Sequence, residues 1–276
     1  MESTLNSLNA EIQNFKRQFS QPPNFLQPSP QINIHIGMDH CTDRTEALTR
    51  NWARENATEI SISYNSEAQG KWQMLGILIE RSRARWVGLI DAGAIWTPGL
   101  LLEVFKHLNS PDVIGIAPSY SPMGSGFFES VFWRIEQLFK RIEGEAGGPV
   151  SVHGATVIYR RLHLKKVLNE LKRKTSNPWL NDDVVIPLSL RMKWPHSKIV
   201  YLSENTTHAW VQDQKLPPEN PAPKKVVYRR RRRMVLGNIQ WIRALYWNAI
   251  WCDPRVALLA SRRVFRTFWG TRRQKR

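Results

Sequence analysis

The sequence contains little cysteine, with only Cys41 and Cys252 among 276 residues. Two isolated cysteines exclude a disulfide framework and a cysteine-rich metal site. No apolar run approaches the roughly 18 residues of a membrane-spanning helix, and the N-terminus lacks the order of a secretory signal. The glycines form neither a G-x-G-x-x-G nor a Walker pattern, which disfavours a Rossmann dehydrogenase and a P-loop NTPase. These absences predict a cytoplasmic protein, soluble or peripheral at the inner face of a membrane.

Acidic residues are almost missing from the C-terminal fifth of the chain. Residues 224–276 carry 16 Lys and Arg and one acid, Asp253, and so hold +15 of the formal net charge of +17. Such a segment favours contact with a polyanion, either phosphate or a lipid headgroup. The Pro-rich stretch 216–223 before it indicates a linker. We therefore divide the chain into a nearly neutral region, residues 1–223, and a basic amphipathic helical region, residues 224–276.

The apolar pattern alternates between helical and extended periods. It predicts strands over residues 31–37, 59–64, 86–90, 113–117 and 150–159. It predicts helices over residues 5–19, 42–57, 67–83 and 98–108, helices ending near 143 and 172, one after 181, and two more over 224–251 and 254–269. Alternation of this kind indicates an α/β fold with a mainly parallel sheet flanked by helices.

Acidic residues stand just beyond several of these elements. Asp39 follows the first strand, Asp91 directly follows strand 86–90, and Asp182 and Asp183 open a helix. Ligands in open α/β sheets bind at the carboxyl ends of the strands, so these positions are candidate binding sites. Each acid also has a structural explanation, as a helix cap, a turn at the end of a strand or a complement to a helix dipole. The residues alone leave both explanations open.

An ordered series of segments resembles the family 2 glycosyltransferases with a GT-A fold, including their hyaluronan- and cellulose-synthase-like members. DHCTDRT (39–45) is similar to the D-G-S-T-D-x-T loop of that family, and WVGLIDAGAIWTP (86–98) to its strand and D-x-D segment. HGATVIYRR (153–161) is similar to its glycine, strand and Arg-Arg segment, and LNDDVVIPL (180–188) to its E-D block. YRRRRRMVLGNIQ (228–240) resembles the basic R-R-x-x-x-G-N-x-Q stretch. The series spans roughly residues 2–269.

The resemblance implies an inverting transfer of a sugar from a nucleotide-sugar donor, a UDP-sugar or similar, to an acceptor hydroxyl. Asp39 would contact the nucleotide, and Asp91 would lie beside the diphosphate and its Mg²⁺ or Mn²⁺. Asp183, with Asp182 next to it, would be the general base that takes the acceptor proton. The acceptor would be a glycan, a lipid or another hydroxyl compound.

The basic region would contribute in two ways. Its arginines present planar forks that suit phosphate, and those expected beside the leaving diphosphate are Arg229, Arg230, Arg232 and Arg233. Its tryptophans, Trp241, Trp247, Trp251 and Trp269, alternate with arginines in a pattern suited to a membrane interface. Packing of these tryptophans on the rest of the protein explains the same pattern equally well.

Several departures from the family pattern support an alternative. The D-x-D segment is Asp91-Ala92-Gly93, without the second carboxylate, and the family's first nucleotide-binding strand has no counterpart. The alternative is a catalytically inactive remnant that binds a membrane or a partner. A nucleic-acid binder is a third reading, but an Arg run retains nucleic acid without sequence information, and no helix-turn-helix, zinc-finger or RRM signature accompanies it. We expect no specific nucleic-acid partner.

Overall fold

The computed structural model describes residues 1–19, 30–56, 58–65, 70–122, 127–175, 177–203, 211–213 and 224–252, together with 256, 258 and 261. The helices are α1 (Glu2–Phe19), α2 (Thr45–Glu55), α3 (Lys71–Arg81), α4 (Leu100–Phe105), α5 (Phe127–Glu145), α6 (Arg161–Lys174), α7 (Asp182–Lys193), α8 (Lys224–Trp241) and α9 (Trp247–Cys252). The strands are β1 (Ile34–Asp39), β2 (Ile60–Asn65), β3 (Trp86–Ile90), β4 (Ala94–Trp96), β5 (Val113–Pro118), β6 (Tyr120–Pro122), β7 (Thr156–Arg160), β8 (Lys198–Leu202) and β9 (Val211–Asp213). The predicted linker 216–223 lies outside the described residues.

The described strands form three sheets. β1 pairs with β2, the central sheet has the order β3-β7-β5-β8, and a small sheet has the order β4-β9-β6. The pairs β1-β2, β5-β8 and β6-β9 are parallel, whereas β3-β7, β5-β7 and β4-β9 are antiparallel. The α/β class with helices around the sheets is therefore confirmed. The sheet is mixed because β7 runs antiparallel between β3 and β5.

Helices cover both faces of the central sheet. Strand β7 shows this directly, because Val157 and Tyr159 lie in one apolar cluster and Ile158 lies in the other. The first cluster includes buried residues of α6 and α7, and the second includes residues of α1 and α4. All six residues of β5 are buried. Burial on both faces explains why the central strands are continuous apolar runs.

Helix α1 packs on the segment between β3 and α4 and supplies polar contacts to its backbone. The hydroxyl of Thr4 accepts a hydrogen bond from the amide of Gly93 at 2.8 Å. The carboxylate of Glu11 accepts hydrogen bonds from the amides of Gly99 at 2.9 Å and Leu101 at 2.8 Å. These last two amides stand at the start of α4 and have no partner within the helix. Helix α1 therefore fixes the backbone that leads away from Asp91.

The C-terminal helices share a core with α7. Helix α8 continues through a π-helical turn (Ile242–Tyr246) into α9, and Trp241, Leu245 and Ala249 are buried in the cluster that includes α7. Packing therefore explains Trp241, whose exposed fraction is 0%, whereas Trp247 is 65% exposed. The side chain of Trp251 and all of Trp269 lie outside the described residues. In the described part of the chain, no helix has both the length and the hydropathy that crossing a membrane requires.

Candidate active site

Asp91 lies where β3 ends, and the pairing of β3 with β7 fixes its backbone. Its amide donates to the carbonyl of Ala155 at 2.9 Å, and its own carbonyl accepts from the amide of Ala94 at 3.0 Å. The turn between Asp91 and Ala94 contains Gly93, whose φ is +105°. A residue with a side chain is strained in that region of φ, which accounts for glycine here. The turn presents a single carboxylate.

Lys71 connects two of the predicted acids. Its Nζ lies 2.8 Å from Oδ1 of Asp91 and 2.9 Å from Oδ2 of Asp182. Lys71 is the first residue of α3, a helix that packs closely on β1, since a Cβ added at Gly37 would lie 2.4 Å from Cγ of Met74. The close approach of α3 to β1 sets where the ammonium lies. Three elements, α3, β3 and α7, therefore meet at one cationic group.

Burial and the neighbouring charges shift the pKa values of Asp91 and Lys71. Partial burial raises the pKa of Asp91, which the nearby Lys71 and, more weakly, Arg233 oppose. Burial alone would lower the pKa of Lys71, but the carboxylates of Asp182 and Asp91 outweigh it, so the pKa is raised. Burial also raises the pKa of the Tyr159 phenol well above its usual range, and the charges of Asp182 and Asp183 add to the effect. The site is thus an electrostatically coupled group in which Lys71 stays charged.

The acid pair begins α7. The carbonyl of Asp183 accepts a hydrogen bond from the amide of Val152 at 2.8 Å, which ties the start of α7 to the segment before β7. A Cβ added at Gly154 would lie 3.7 Å from Cβ of Asp183. The side chain of Asp182 is 17% exposed and faces Lys71. The structure therefore brings Asp182 close to Asp91 through Lys71, and Asp183 follows Asp182 on α7. The catalytic roles of Asp182 and Asp183 stay predictions.

Asp39 lies at a different place from this cluster. It is the last residue of β1, and its Oδ1 accepts a hydrogen bond from Nδ2 of Asn65, the last residue of the parallel strand β2, at 3.2 Å. Among the described residues no ion pair or hydrogen bond joins Asp39 to Lys71 or Asp91. The Asp39 and Asn65 side chains form a polar end to the β1-β2 sheet, and the nucleotide role of Asp39 stays a prediction.

The arginine run belongs to α8, and part of it reaches the acids. Nη2 of Arg233 donates to the carbonyl of Leu180 at 3.4 Å, and the charge of Arg233 acts on the pKa of Asp91. Arg232 is exposed. The side chains of Arg229 and Arg230 lie outside the described residues, although both positions belong to the helix. Of the predicted arginines whose side chains the structure describes, Arg233 is therefore the one that acts on the acidic cluster.

The chain's own residues provide few ligands for a cation. Within the described ranges, no group of three or more His, Cys, Asp or Glu side chains gathers around one point. Asp91 is 46% exposed and engages Lys71 through Oδ1, while its Oδ2 has no partner among the described residues. One accessible carboxylate oxygen fits a divalent ion whose other ligands are substrate phosphates and water.

Several residues of the site have a role that the sequence does not assign. Nothing in the pattern around Lys71 separates it from a solvated helical lysine, because its two partners are distant in sequence. Asn238 and Gln240 stand in the basic stretch, where the chemistry was assigned to the arginines. In the structure their side chains contact the residues just before Asp182. A short separation in space identifies Lys71, and it gives a role to Asn238 and Gln240, which the G-N-x-Q motif marks without assigning one.

The chain matches the family described as "Glycosyltransferase like family 2" over residues 24–237. This match covers well over half of the sequence, and the chain therefore belongs to the family 2-like glycosyltransferases. The fold and the order of the acidic residues agree with that assignment. A search of the curated proteins found no match.

Solved structures with a similar fold are GT-A glycosyltransferases. The mannosyltransferase PcManGT of Pyrobaculum calidifontis, with GDP-Man and Mn²⁺, has a TM-score of 0.63 at 16% identity over 92% of this chain and 66% of that one. Residues 1–349 of S. aureus TarS, with UDP-GlcNAc, give 0.50 at 15% identity over 88% and 62%. Glucosyl-3-phosphoglycerate synthase of Mycobacterium tuberculosis, with Mn²⁺, UDP and glucosyl-3-phosphoglycerate, gives 0.50 at 11% identity over 88% and 76%. The chain spans less than two thirds of the first two proteins, and at these identities the likeness shows the fold alone.

Proposed function

We propose that this chain transfers a sugar from a nucleotide-sugar donor, a UDP-sugar, to an acceptor hydroxyl with inversion at the anomeric carbon. The observation that carries the proposal is the meeting of Asp91, Asp182 and Lys71 at the ends of three elements, in a chain of this family. Asp183 is the next residue of α7 after Asp182, and the charge of Arg233 acts to lower the pKa of Asp91. Such a cluster provides the two groups that the reaction needs. A carboxylate can accept the proton of the acceptor hydroxyl, and the cations can stabilise the negative charge of the leaving diphosphate.

In the proposed reaction Asp183 is the general base. Its carboxylate takes the proton from the acceptor hydroxyl while that oxygen bonds to the anomeric carbon. The bond between the anomeric carbon and the diphosphate oxygen breaks, and the electron pair leaves with the nucleoside diphosphate. Lys71 and Arg233 stabilise the negative charge that develops on the diphosphate. Asp182 holds Lys71 in place through the 2.9 Å ion pair.

A divalent cation, Mg²⁺ or Mn²⁺, would be held by Asp91 together with phosphate oxygens of the donor. When bound, it would supply further positive charge to the leaving diphosphate. Two of the solved proteins with a similar fold contain Mn²⁺. The accessible Oδ2 of Asp91 is the feature of this chain that suits such an ion.

A decisive experiment replaces the base. Asp183→Asn removes the proton acceptor but preserves the shape of the side chain. We therefore expect transfer from a UDP-sugar to be abolished, while the UDP affinity and the melting temperature stay at their wild-type values. Asp112→Asn is the matched control, because Asp112 is a partly exposed acid paired with Lys198 at 2.8 Å, outside the acidic cluster. Retained transfer by Asp183→Asn would contradict the role of Asp183.

The second candidate is the inactive remnant, which the single carboxylate of the 91–93 turn favours. Calorimetric titration with UDP, with and without Mn²⁺, separates the two. Binding that is lost in Asp91→Ala supports a working donor site. Absence of UDP binding under both conditions favours the remnant.

We also infer a peripheral position at the cytoplasmic face of a membrane. Four apolar side chains of α8 are exposed next to Arg232 and Arg233, namely Met234, Val235, Leu236 and Ile239. An anionic lipid surface suits this combination, since it attracts the arginines and accepts the apolar groups. A lipid or glycan acceptor presented at that surface would then reach the acids from the side of α8.

A further inference from the structure

Side-chain amides of α8 hold the backbone just before the acid pair. We name residues 178–181, which precede Asp182, the acid-pair loop. Oε1 of Gln240 accepts from the amide of Leu180 at 3.2 Å, and Nε2 of Gln240 donates to the carbonyl of Pro178 at 3.2 Å. One side chain thus makes to this loop the two hydrogen bonds that a neighbouring strand would make.

A second amide fixes the last residue of the acid-pair loop. Nδ2 of Asn181 donates to Oδ1 of Asn238 at 2.9 Å and to the carbonyl of Met234 at 3.4 Å. The same Oδ1 accepts from Nε1 of the buried Trp241 at 3.2 Å, which orients the Asn238 side chain. The position of Asn181 is therefore set by α8 on one side and by the start of α7 on the other.

The side chain of Asn181 does not cap the helix that it precedes, which is unusual for an asparagine at this position. An asparagine that precedes a helix commonly accepts a hydrogen bond from the first turn through its side chain. Here the side chain makes no such contact, and the amides of Val184 and Val185 bond to the backbone carbonyl of Asn181 instead. The side chain is committed to α8, and the local interaction that would otherwise orient it is absent.

Close packing requires glycine at position 237. A Cβ added there would lie 2.3 Å from Oδ1 of Asn181, well inside van der Waals contact. Gly237 is buried on a helix whose neighbouring positions 234–236 are exposed. Glycine in a helix is unfavourable, so its presence here is explained by the approach of Asn181.

We propose that Asn238 and Gln240 are positioning residues that fix Asp182 and Asp183 through the acid-pair loop, with Gly237 allowing the contact. This rests on the proposed function, in which Asp183 is the base and Asp182 holds Lys71. Because catalytic rates depend steeply on the placement of reacting groups, a small shift of this loop lowers turnover without removing any group that touches substrate. Helix α8 is thus part of the proposed active site.

The kinetic test uses Asn238→Ala and Gln240→Ala in the full chain. We expect kcat to fall up to about 100-fold, the scale of a misplacement near 1 Å, while UDP affinity by calorimetry and KM change little. Gln240→Glu keeps the acceptor for Leu180 and should retain more activity than Gln240→Ala. Asn248→Ala, an exposed amide on α9, is the matched control and should match the wild type. Unchanged kcat in both variants, or parallel loss of kcat, UDP affinity and melting temperature, would overturn the proposal.

A second test does not depend on activity and so separates this proposal from the proposed function. In Gln240→Ala the amide of Leu180 loses its acceptor, and its hydrogen exchange should accelerate by about tenfold or more while amides of α6 stay protected. Gly237→Ala should likewise accelerate exchange at Leu180 although alanine favours the helix, and Gly237→Ala combined with Asn181→Ala should accelerate it no more than Asn181→Ala alone. Unchanged exchange at Leu180, or additive effects in the double variant, would refute the positioning role even if the wild type transfers no sugar.

Discussion

At the scale of single residues, Lys71 is the connection on which the site depends. Asp91 and Asp182 would face each other as like charges without it, because both interact with the same ammonium. Like charges at such a separation disfavour double ionisation. The lysine therefore balances the charges of two carboxylates at the site proposed for the diphosphate.

Replacing this lysine tests its role. We expect Lys71→Met to weaken UDP binding near pH 7 by about tenfold or more, since hydrogen bonds to charged groups are the stronger ones. Lys71→Arg should keep part of the affinity. Lys165→Met, which removes a partly exposed lysine paired with Glu80, controls for loss of charge. Calorimetry gives the affinities, and wild-type affinity in Lys71→Met would show that the ammonium does not contact the donor.

The acidic residues were within reach of sequence reasoning, but their partners were not. Asp91, Asp182 and Asp183 follow from their places beside apolar strands and a helix start, since those patterns are local. The pairing of Lys71 with Asp182 joins residues 111 positions apart in sequence, and no local pattern encodes it. The amide contacts of α8 depend likewise on how two helices pack, which composition does not specify.

At the scale of elements, helix α1 supplies hydrogen-bond acceptors to the start of α4. It buries Glu11 against the start of α4, where the carboxylate accepts two amide hydrogen bonds. Burial raises the pKa of Glu11, and the bonds from Leu101 and Gly99 only partly oppose it. The folded protein therefore binds this proton more tightly than the unfolded chain does.

A pH dependence of stability follows from the raised pKa. A carboxyl group that binds its proton more tightly in the folded state favours folding most at low pH, and that advantage is lost as pH rises from about 4.5 through the folded pKa. We expect the free energy of unfolding of the wild type, relative to Glu11→Gln, to fall over this range. Urea unfolding at a series of pH values measures it, with the exposed Glu55→Gln as control. A constant or rising difference would contradict the raised pKa.

Long elements were predictable, whereas short ones and strand directions were not. Strand β3 has the predicted bounds, and α1, α3 and β5 differ by a few residues at their ends. The three-residue strands β4, β6 and β9 are too short to show a period, and β8 was missed as well. The antiparallel course of β7 could not be predicted, because both strand directions present the same apolar pattern.

At the scale of the whole molecule, positive charge is concentrated at one end of the sequence, and this predicts binding to an anionic lipid surface. We expect binding to anionic vesicles that weakens as salt rises and is small on neutral vesicles. Replacing the exposed Arg232 and Arg243 by Gln should weaken that binding by about tenfold or more, given about 1 kcal/mol for each arginine near the surface. Vesicle sedimentation measures it.

The control for the vesicle experiment removes the same charge elsewhere. Arg54 on α2 and Arg173 on α6 are both exposed, and their double replacement by Gln should leave vesicle binding near the wild-type value. An equal loss in the two double variants would mean that net charge, rather than α8, governs binding. That result would remove the support for a membrane-facing α8.

The packing of α8 bears on how the chain can be divided. The family match ends at residue 237, inside this helix and just before Asn238. A protein cut at that boundary would keep every acid of the site but would lose Trp241, Leu245 and Ala249 from the core beside α7. Proteases that cleave between residues 237 and 241 should therefore release no stable fragment, and the smallest piece that folds cooperatively extends past the limits drawn from sequence similarity.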